Sequence, residues 1–132
     1  MKLIIGGYSQ GKLNYILQQG GKDDDMILDG ALLDVEQLQE ANVQRKRVII
    51  NHFHCWVRER ILKNGNPEEE ILAFLEKSPE SIIISDEIGN GIVPVDAFER
   101  EYRERTGRIL VELASRADEV VRVICGIGQK IK

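Results

Sequence analysis

Residues 6–13 read GGYSQGKL. Gly6, Gly11 and Lys12 stand at the positions of the phosphate-binding pattern G-x-x-x-x-G-K-[ST]. Glycines let backbone N–H groups turn toward a phosphate, and the partial positive charge of a following helix adds to their pull. Lys12 would reach a β- or γ-phosphate. The stretch Gly6, Gly7, Tyr8, Ser9, Gln10, Gly11, Lys12 and Leu13 is therefore the candidate nucleotide-binding segment. The last position of the pattern normally supplies a hydroxyl to Mg²⁺. Leu13 has none. Asn14 is no simple replacement, lying about 100° further round the helix. The plainer alternative is a glycine turn with a solvated lysine.

Two further groups could do chemistry. Asp86 and Glu87 follow an apolar run and could bring carboxylates to a magnesium ion; Glu87 is also a candidate catalytic residue. His52 and His54, the only histidines, follow another such run. Either could act as a nucleophile, and His54 is taken as the catalytic candidate. Both could equally be hydrogen-bonded neighbours at a helix start. The spacing H-x-H-C, with Cys55, is not that of a recognised metal site. Cys55 and Cys125 read as core thiols.

These residues need elements to position them. Lys2–Ile5, Met26–Asp29, Arg47–Asn51, Ser81–Ser85 and Glu119–Cys125 read as short apolar strands. Lys12–Gln19, Asp34–Gln44, His52–Lys63, Pro67–Lys77 and Asp96–Ala117 read as helices. Pro67 suits a first helical position. Asp96 suits an N-cap with Glu99 completing a capping box. Phe98, Tyr102, Ile109, Leu113 and Ala117 share one face of the long helix. Glu99/Arg103, Glu101/Arg105, Glu104/Arg108 and Glu112/Arg116 are i,i+4 pairs, each worth about 0.2–0.5 kcal/mol. Gly107, inside this helix, would allow close backbone packing. Apolar strands alternating with helices imply an α/β fold, a mostly parallel sheet with helices on both faces. Ligands in such sheets bind beyond the C-terminal strand ends, where the loop, the acids and the histidines all fall.

The chain has 132 residues and suits a single domain, residues 1–132. Its formal net charge is −4. Residues 1–66 carry nine basic and eight acidic side chains, and residues 67–132 carry nine and fourteen. That balance argues against a nucleic-acid binder, which would show a basic stripe. No apolar run approaches a membrane span, and the N-terminus reads as a strand rather than a signal peptide. Two cysteines without a CxxC pair suggest a reduced, cytoplasmic setting.

From Ser85 onward the sequence reads SDEIGNGIVPVDAFEREYRERTGRILVELASRADEVVRVICGIGQKIK. This block resembles the C-terminal part of the bifunctional adenosylcobinamide kinase / adenosylcobinamide-phosphate guanylyltransferase family. The resemblance rests on Ser85, Glu87, Ile88, Gly89, Gly91, Ile92, Val93 and Pro94. It continues through Arg100, Tyr102, Arg103, Gly107, Arg108, Ala117, Asp118, Glu119 and Val120, and the loop residues Gly6, Gly7, Gly11 and Lys12 are also similar. It implies a three-layer P-loop, RecA-like domain that assembles as a homo-oligomer, commonly a trimer. It implies GTP or ATP as substrate, Mg²⁺ as cofactor, and adenosylcobinamide, a corrinoid, as phosphoryl acceptor. A second reaction, GMP transfer from GTP, is implied to pass through a guanylylated histidine.

The chain departs from the family pattern where that chemistry lies. Leu13 replaces the metal-binding hydroxyl. Asn51 stands where the middle strand ends in Asp, although Trp56 keeps its place. The segment from Gly20 to Arg47 is short and has no histidine. Asp86 replaces an Asn, and Leu110 and Val111 replace an Asn-Gln pair. The expectation is a nucleotide-binding protein capable of kinase-type transfer, with guanylyl transfer disfavoured. The alternative is a catalytically impaired P-loop module that binds or regulates.

Overall fold

A computed structural model describes residues 1–89 and 91–132; Asn90, within the EIGNGIVP stretch, lies outside them. In chain order the elements are β1 (Lys2–Gly6), α1 (Lys12–Gln18), β2 (Met26–Asp29), α2 (Val35–Val43), β3 (Val48–Asn51) and α3 (Phe53–Leu62). There follow α4 (Pro67–Lys77), β4 (Ile82–Asp86), α5 (Ala97–Arg116), β5 (Glu119–Ile124) and β6 (Ile127–Lys130). The strands form one sheet in the order β2-β3-β4-β1-β5-β6. The first five run parallel, and β6 returns antiparallel to β5.

Side chains alternate across a strand, and here both sides are apolar. Leu3, Val48, Ile50, Ile83 and Val120 face a layer that holds Leu38 of α2, Phe53 and Trp56 of α3, Phe74 of α4 and Leu113 of α5. Ile4, Ile49, Ile82, Ile84, Val121 and Val123 face the other way, with Ile16, Leu13 and Tyr15 of α1. The result is three layers: α1, the sheet, then α2–α5. Each fully buried aliphatic or aromatic side chain contributes about 1.5–3 kcal/mol, so the α/β architecture follows from these runs.

Where the structure differs from the sequence reading, the cause is local. β6 was not anticipated: IGQK has no apolar run, and Ile127 is exposed. The strand exists because Cys125 and Gly126 both adopt positive φ, 50° and 77°. That geometry suits a two-residue hairpin loop, with Ile124 opposite Ile127. Cys125 is therefore an exposed turn residue, and Cys55 is only half-buried; neither is a core thiol. Asp96 caps α5 through the N–H groups of Phe98 and Glu99. Glu99, however, pairs with Arg58 at 2.5 Å and completes no capping box. Arg103 is drawn away from Glu99 to the carbonyls of Gly89 and Ile92, so only the other three i,i+4 pairs form. A Cβ on Gly107 would meet nothing within 4 Å, so no close packing explains that glycine.

Candidate functional site

The glycine loop leaves β1 in the centre of the sheet. Gly6 lies against the carbonyl of Val123 on β5, and a Cβ there would come within 2.5 Å of that oxygen. No other residue fits without moving a backbone. Ser9 (φ 53°) and Gly11 (φ 80°) take left-handed conformations. Gln10 ties the loop to the β5–β6 turn. Its side-chain oxygen accepts from the Cys125 N–H at 2.7 Å, and its carbonyl accepts from the Gly126 N–H at 2.8 Å. Its amide also donates to the Tyr8 carbonyl. Tyr8 itself is exposed.

Lys12 is only 8% exposed, unusual for a lysine. Its Nζ donates to the Gly7 carbonyl at 2.6 Å and lies 2.7 Å from Asp86 Oδ1. Asp86 ends β4, level with Gly6 of β1, so the pairing of two central strands brings this carboxylate to the lysine. Asp86 also engages His54. Its backbone N–H donates to His54 Nδ1 at 3.1 Å, and Oδ2 lies 3.4 Å from Nε2. An accepting Nδ1 requires that the neutral ring carry its proton on Nε2. Burial holds the His54 imidazole below its ordinary pKa, with Asp86 opposing and His52 and Lys12 adding to the shift. The Tyr102 hydroxyl donates to the His54 carbonyl, which ties α5 to the start of α3.

Glu87 turns the other way. Arg122 on β5 holds it in a two-pronged pair at 2.9 and 3.0 Å, and its N–H donates to the Gly6 carbonyl. The two neighbouring acids thus serve different cations. Asn51 ends β3, and its carbonyl accepts from the Gly30 N–H at 2.7 Å. His52, one residue on, has φ 54°, and its Nδ1 lies 3.0 Å from Asp29 Oδ1. The hydrogen bond from His52, then one from the Ala31 N–H, holds the Asp29 carboxyl below its usual range.

These groups meet in one cleft of about 480 Å³. Residues 8–14 form one wall, and Asp29, Asn51, His52, His54, Cys55 and Asp86 line the rest. Of the residues singled out in the sequence, Tyr8 to Leu13, His52, His54 and Asp86 come together here. Glu87 is directed to Arg122 on the neighbouring strand. Asp29 was not singled out, although it ends a strand and the strand-end rule applied to it equally. Burial pushes the Cys55 thiol up in pKa. Among the described residues, no group of three or more His, Cys, Asp or Glu side chains is arranged to hold a metal ion. Among the described residues, no helix is long and apolar enough to cross a membrane.

Residues 26–131 match the family model described as cobinamide kinase / cobinamide phosphate guanyltransferase. The chain belongs to this family. Similar proteins include the bifunctional adenosylcobalamin biosynthesis protein CobU of Salmonella typhimurium, 40% identical over 63 residues, 47% of this chain and 35% of that protein. The Escherichia coli protein of the same description is 37% identical over 65 residues, 48% of this chain and 36% of its own length. The matches thus span about a third of each relative. The family match begins at β2, after the glycine loop, so the reading of that loop rests on its own geometry.

Proposed function

We propose that the chain binds the phosphates of GTP or ATP in the loop from Gly6 to Lys12 and supports kinase-type phosphoryl transfer. By analogy with its family the acceptor would be a corrinoid, adenosylcobinamide. The observation that carries this reading is Lys12, a nearly buried ammonium beneath a glycine loop at a central strand end. Buried cations are held where they have an anion to meet. Phosphoryl transfer depends mostly on positioning and charge neutralisation. Lys12 would leave Asp86 for a phosphate oxygen, and the N–H groups of residues 7–12 would orient the remaining oxygens.

A resident magnesium site does not fit the donors, because Leu13 has no hydroxyl and Arg122 occupies Glu87. The residues do fit an ion that arrives on nucleotide phosphates, held by one carboxylate and waters, as Mg²⁺ commonly is. Asp86 would hold it, and such an ion would neutralise charge on the transferred phosphoryl group.

One observation favours the alternative of a binding or regulatory module. The Lys12–Asp86 pair neutralises the cation on which phosphate affinity depends, so the loop is held in a closed, self-paired state. Isothermal titration with GTP and ATP, with and without Mg²⁺, separates the readings when combined with an assay for phosphorylated adenosylcobinamide. The kinase reading expects Mg²⁺-dependent binding, product formation, and loss of both in Lys12→Ala. Binding indifferent to Mg²⁺ with no product leaves the module. Binding unchanged by Lys12→Ala removes the phosphate loop. With labelled GTP we expect no covalent histidine adduct. We also propose a cytoplasmic homo-oligomer, a trimer, built from one nucleotide-binding domain per chain; light scattering on the eluting protein would measure its mass.

A further inference from the structure

We propose that His52 and Asp29 form a general-base dyad that takes the proton from the phosphoryl acceptor's hydroxyl; this rests on the phosphate-loop reading above. The two histidines of the cleft differ in what their nitrogens are free to do. Both nitrogens of His54 face Asp86, and its side chain is 12% exposed. His52 uses only Nδ1, on Asp29, and its side chain is 48% exposed. Nε2 of His52 has no hydrogen-bond partner among the described residues. A carboxylate on Nδ1–H leaves Nε2 as the basic nitrogen and stabilises the imidazolium once a proton arrives.

The fold builds this pair rather than leaving it to chance. β2 and β3 are paired, with Asp29 opposite Asn51. Gly30 then runs so close to the next residue that a Cβ would lie 2.2 Å from the His52 carbonyl. This approach holds the Asp29 carboxylate against the ring. His52 is kept in the left-handed region, a sparsely populated conformation for a residue with a side chain and one that clusters at functional sites. Its ring stands edge-on to His54, with centroids 6.1 Å apart, on the cleft that Lys12 also lines.

In the step assigned to the dyad, the acceptor oxygen bonds to the terminal phosphorus of the nucleotide. The bond from that phosphorus to the bridging oxygen breaks, and a nucleoside diphosphate leaves. The hydroxyl proton passes to His52 Nε2 and afterwards to solvent. His52 is the catalytic residue here, and Asp29 positions it. The charged and titratable groups around His52 are Asp29 on β2, His54 and Cys55 on α3, and, beyond them, Asp86 on β4 and Lys12 on α1.

The test is product formation from GTP or ATP and adenosylcobinamide between pH 5 and pH 9, beside nucleotide titration of the same proteins. For His52→Gln we expect kcat to fall by about 10²–10⁴, with the acid limb of its pH profile lost and nucleotide Kd within about twofold of the parent. Asp29→Asn takes the charged acceptor from Nδ1–H, so kcat should fall with nucleotide Kd within about twofold of the parent, and Asp29→Glu should restore it. A parental rate and pH profile in His52→Gln, with nucleotide still bound, overturns the dyad alone. So does nucleotide binding with no product from the parent protein. Loss of nucleotide binding altogether, or binding indifferent to Lys12→Ala, overturns the phosphate loop and the dyad with it. A second measurement needs no variant: diethyl pyrocarbonate should acylate His52 of the native protein well before His54. Equal modification of the two would overturn the assignment of the free nitrogen.

Discussion

Lys12 and Asp86 close on each other across the paired ends of β1 and β4, ammonium to carboxylate at 2.7 Å, with Lys12 8% and Asp86 15% exposed. The pair has two consequences. It allows a lysine to be nearly buried, and it occupies the charge that an entering phosphate needs.

Removing either partner therefore should not be symmetrical. Asp86→Asn frees Lys12, and metal-free pyrophosphate should bind about tenfold more tightly, on the order of 1.4 kcal/mol. The same variant should lose the gain that Mg²⁺ gives the parent protein. Lys12→Ala should bind no phosphate and should also be less stable by about 3–5 kcal/mol, because a buried acid loses its cation. Titration calorimetry in chelator, then in Mg²⁺, reads the first effect, and denaturant unfolding reads the second. Weaker metal-free binding in Asp86→Asn would mean that the acid aims the lysine rather than competing for it.

His54 should give the fold a pH dependence of its own. Its pKa is depressed, chiefly by burial, so below about pH 6.5 the unfolded chain binds a proton that the folded chain resists. Stability is then complete above that value and is lost as pH falls toward the lowered folded pKa. The depressed carboxylates Asp25, Asp29 and Glu68 act in a separate, more acidic window, below their ordinary values of 3.8 and 4.5. Urea unfolding at pH 7, 6 and 5 should show a decline that His54→Gln flattens, since Gln can still accept from the Asp86 N–H. A decline of equal slope in the variant would assign the effect elsewhere.

Two glycines should respond in opposite directions to alanine. At Gly6 the new Cβ meets the Val123 carbonyl at 2.5 Å, on a strand that is paired with β1 up to Arg122 and with β6 at Val123 itself. The strain should cost about 1–3 kcal/mol and displace the loop that starts there. At Gly107 the Cβ meets nothing within 4 Å, in the middle of a 20-residue helix. Gly107→Ala should stabilise the protein by about 1 kcal/mol. Paired thermal melts would check both, and a destabilised Gly107→Ala would point to a neighbour that this chain alone does not contain.

Much of this was legible in the sequence because its signals were local. The runs LII, VII and SIII read as short buried strands, and Pro67 and Asp96 marked helix starts. The loop's position at the end of β1 followed from the same reasoning. What was not legible depended on pairing between distant segments. Whether Asp86 would meet Lys12, and Glu87 would meet Arg122, depends on the register of β4 and β5 against β1. Asp29 and His52 meet only because β2 lies beside β3. The hairpin that forms β6 hid behind a Cys-Gly turn without the usual Asn or Asp. Glu99 had two arginines in reach, and it pairs with Arg58, which also lies over the rings of Phe98 and Tyr102.

That hairpin should control the phosphate loop through Gln10. Two hydrogen bonds join this residue to the turn at Cys125 and Gly126, and a Cβ at Gly11 would lie 3.5 Å from the Gly126 Cα. In Gln10→Ala the Cys125 N–H loses its acceptor and the Tyr8 carbonyl loses a donor, while the backbone bond to Gly126 remains. The loop should be looser without unfolding: amides of residues 7–12 should exchange with solvent at least several-fold faster, and those of β1 at the parental rate. Gln10→Glu keeps the acceptor and lacks only the donor to Tyr8, so it should recover most of the protection. Hydrogen exchange followed by mass spectrometry, with no nucleotide added, reads this directly. Uniformly faster exchange through β1 and β5 would show that Gln10 supports the sheet as a whole rather than the loop.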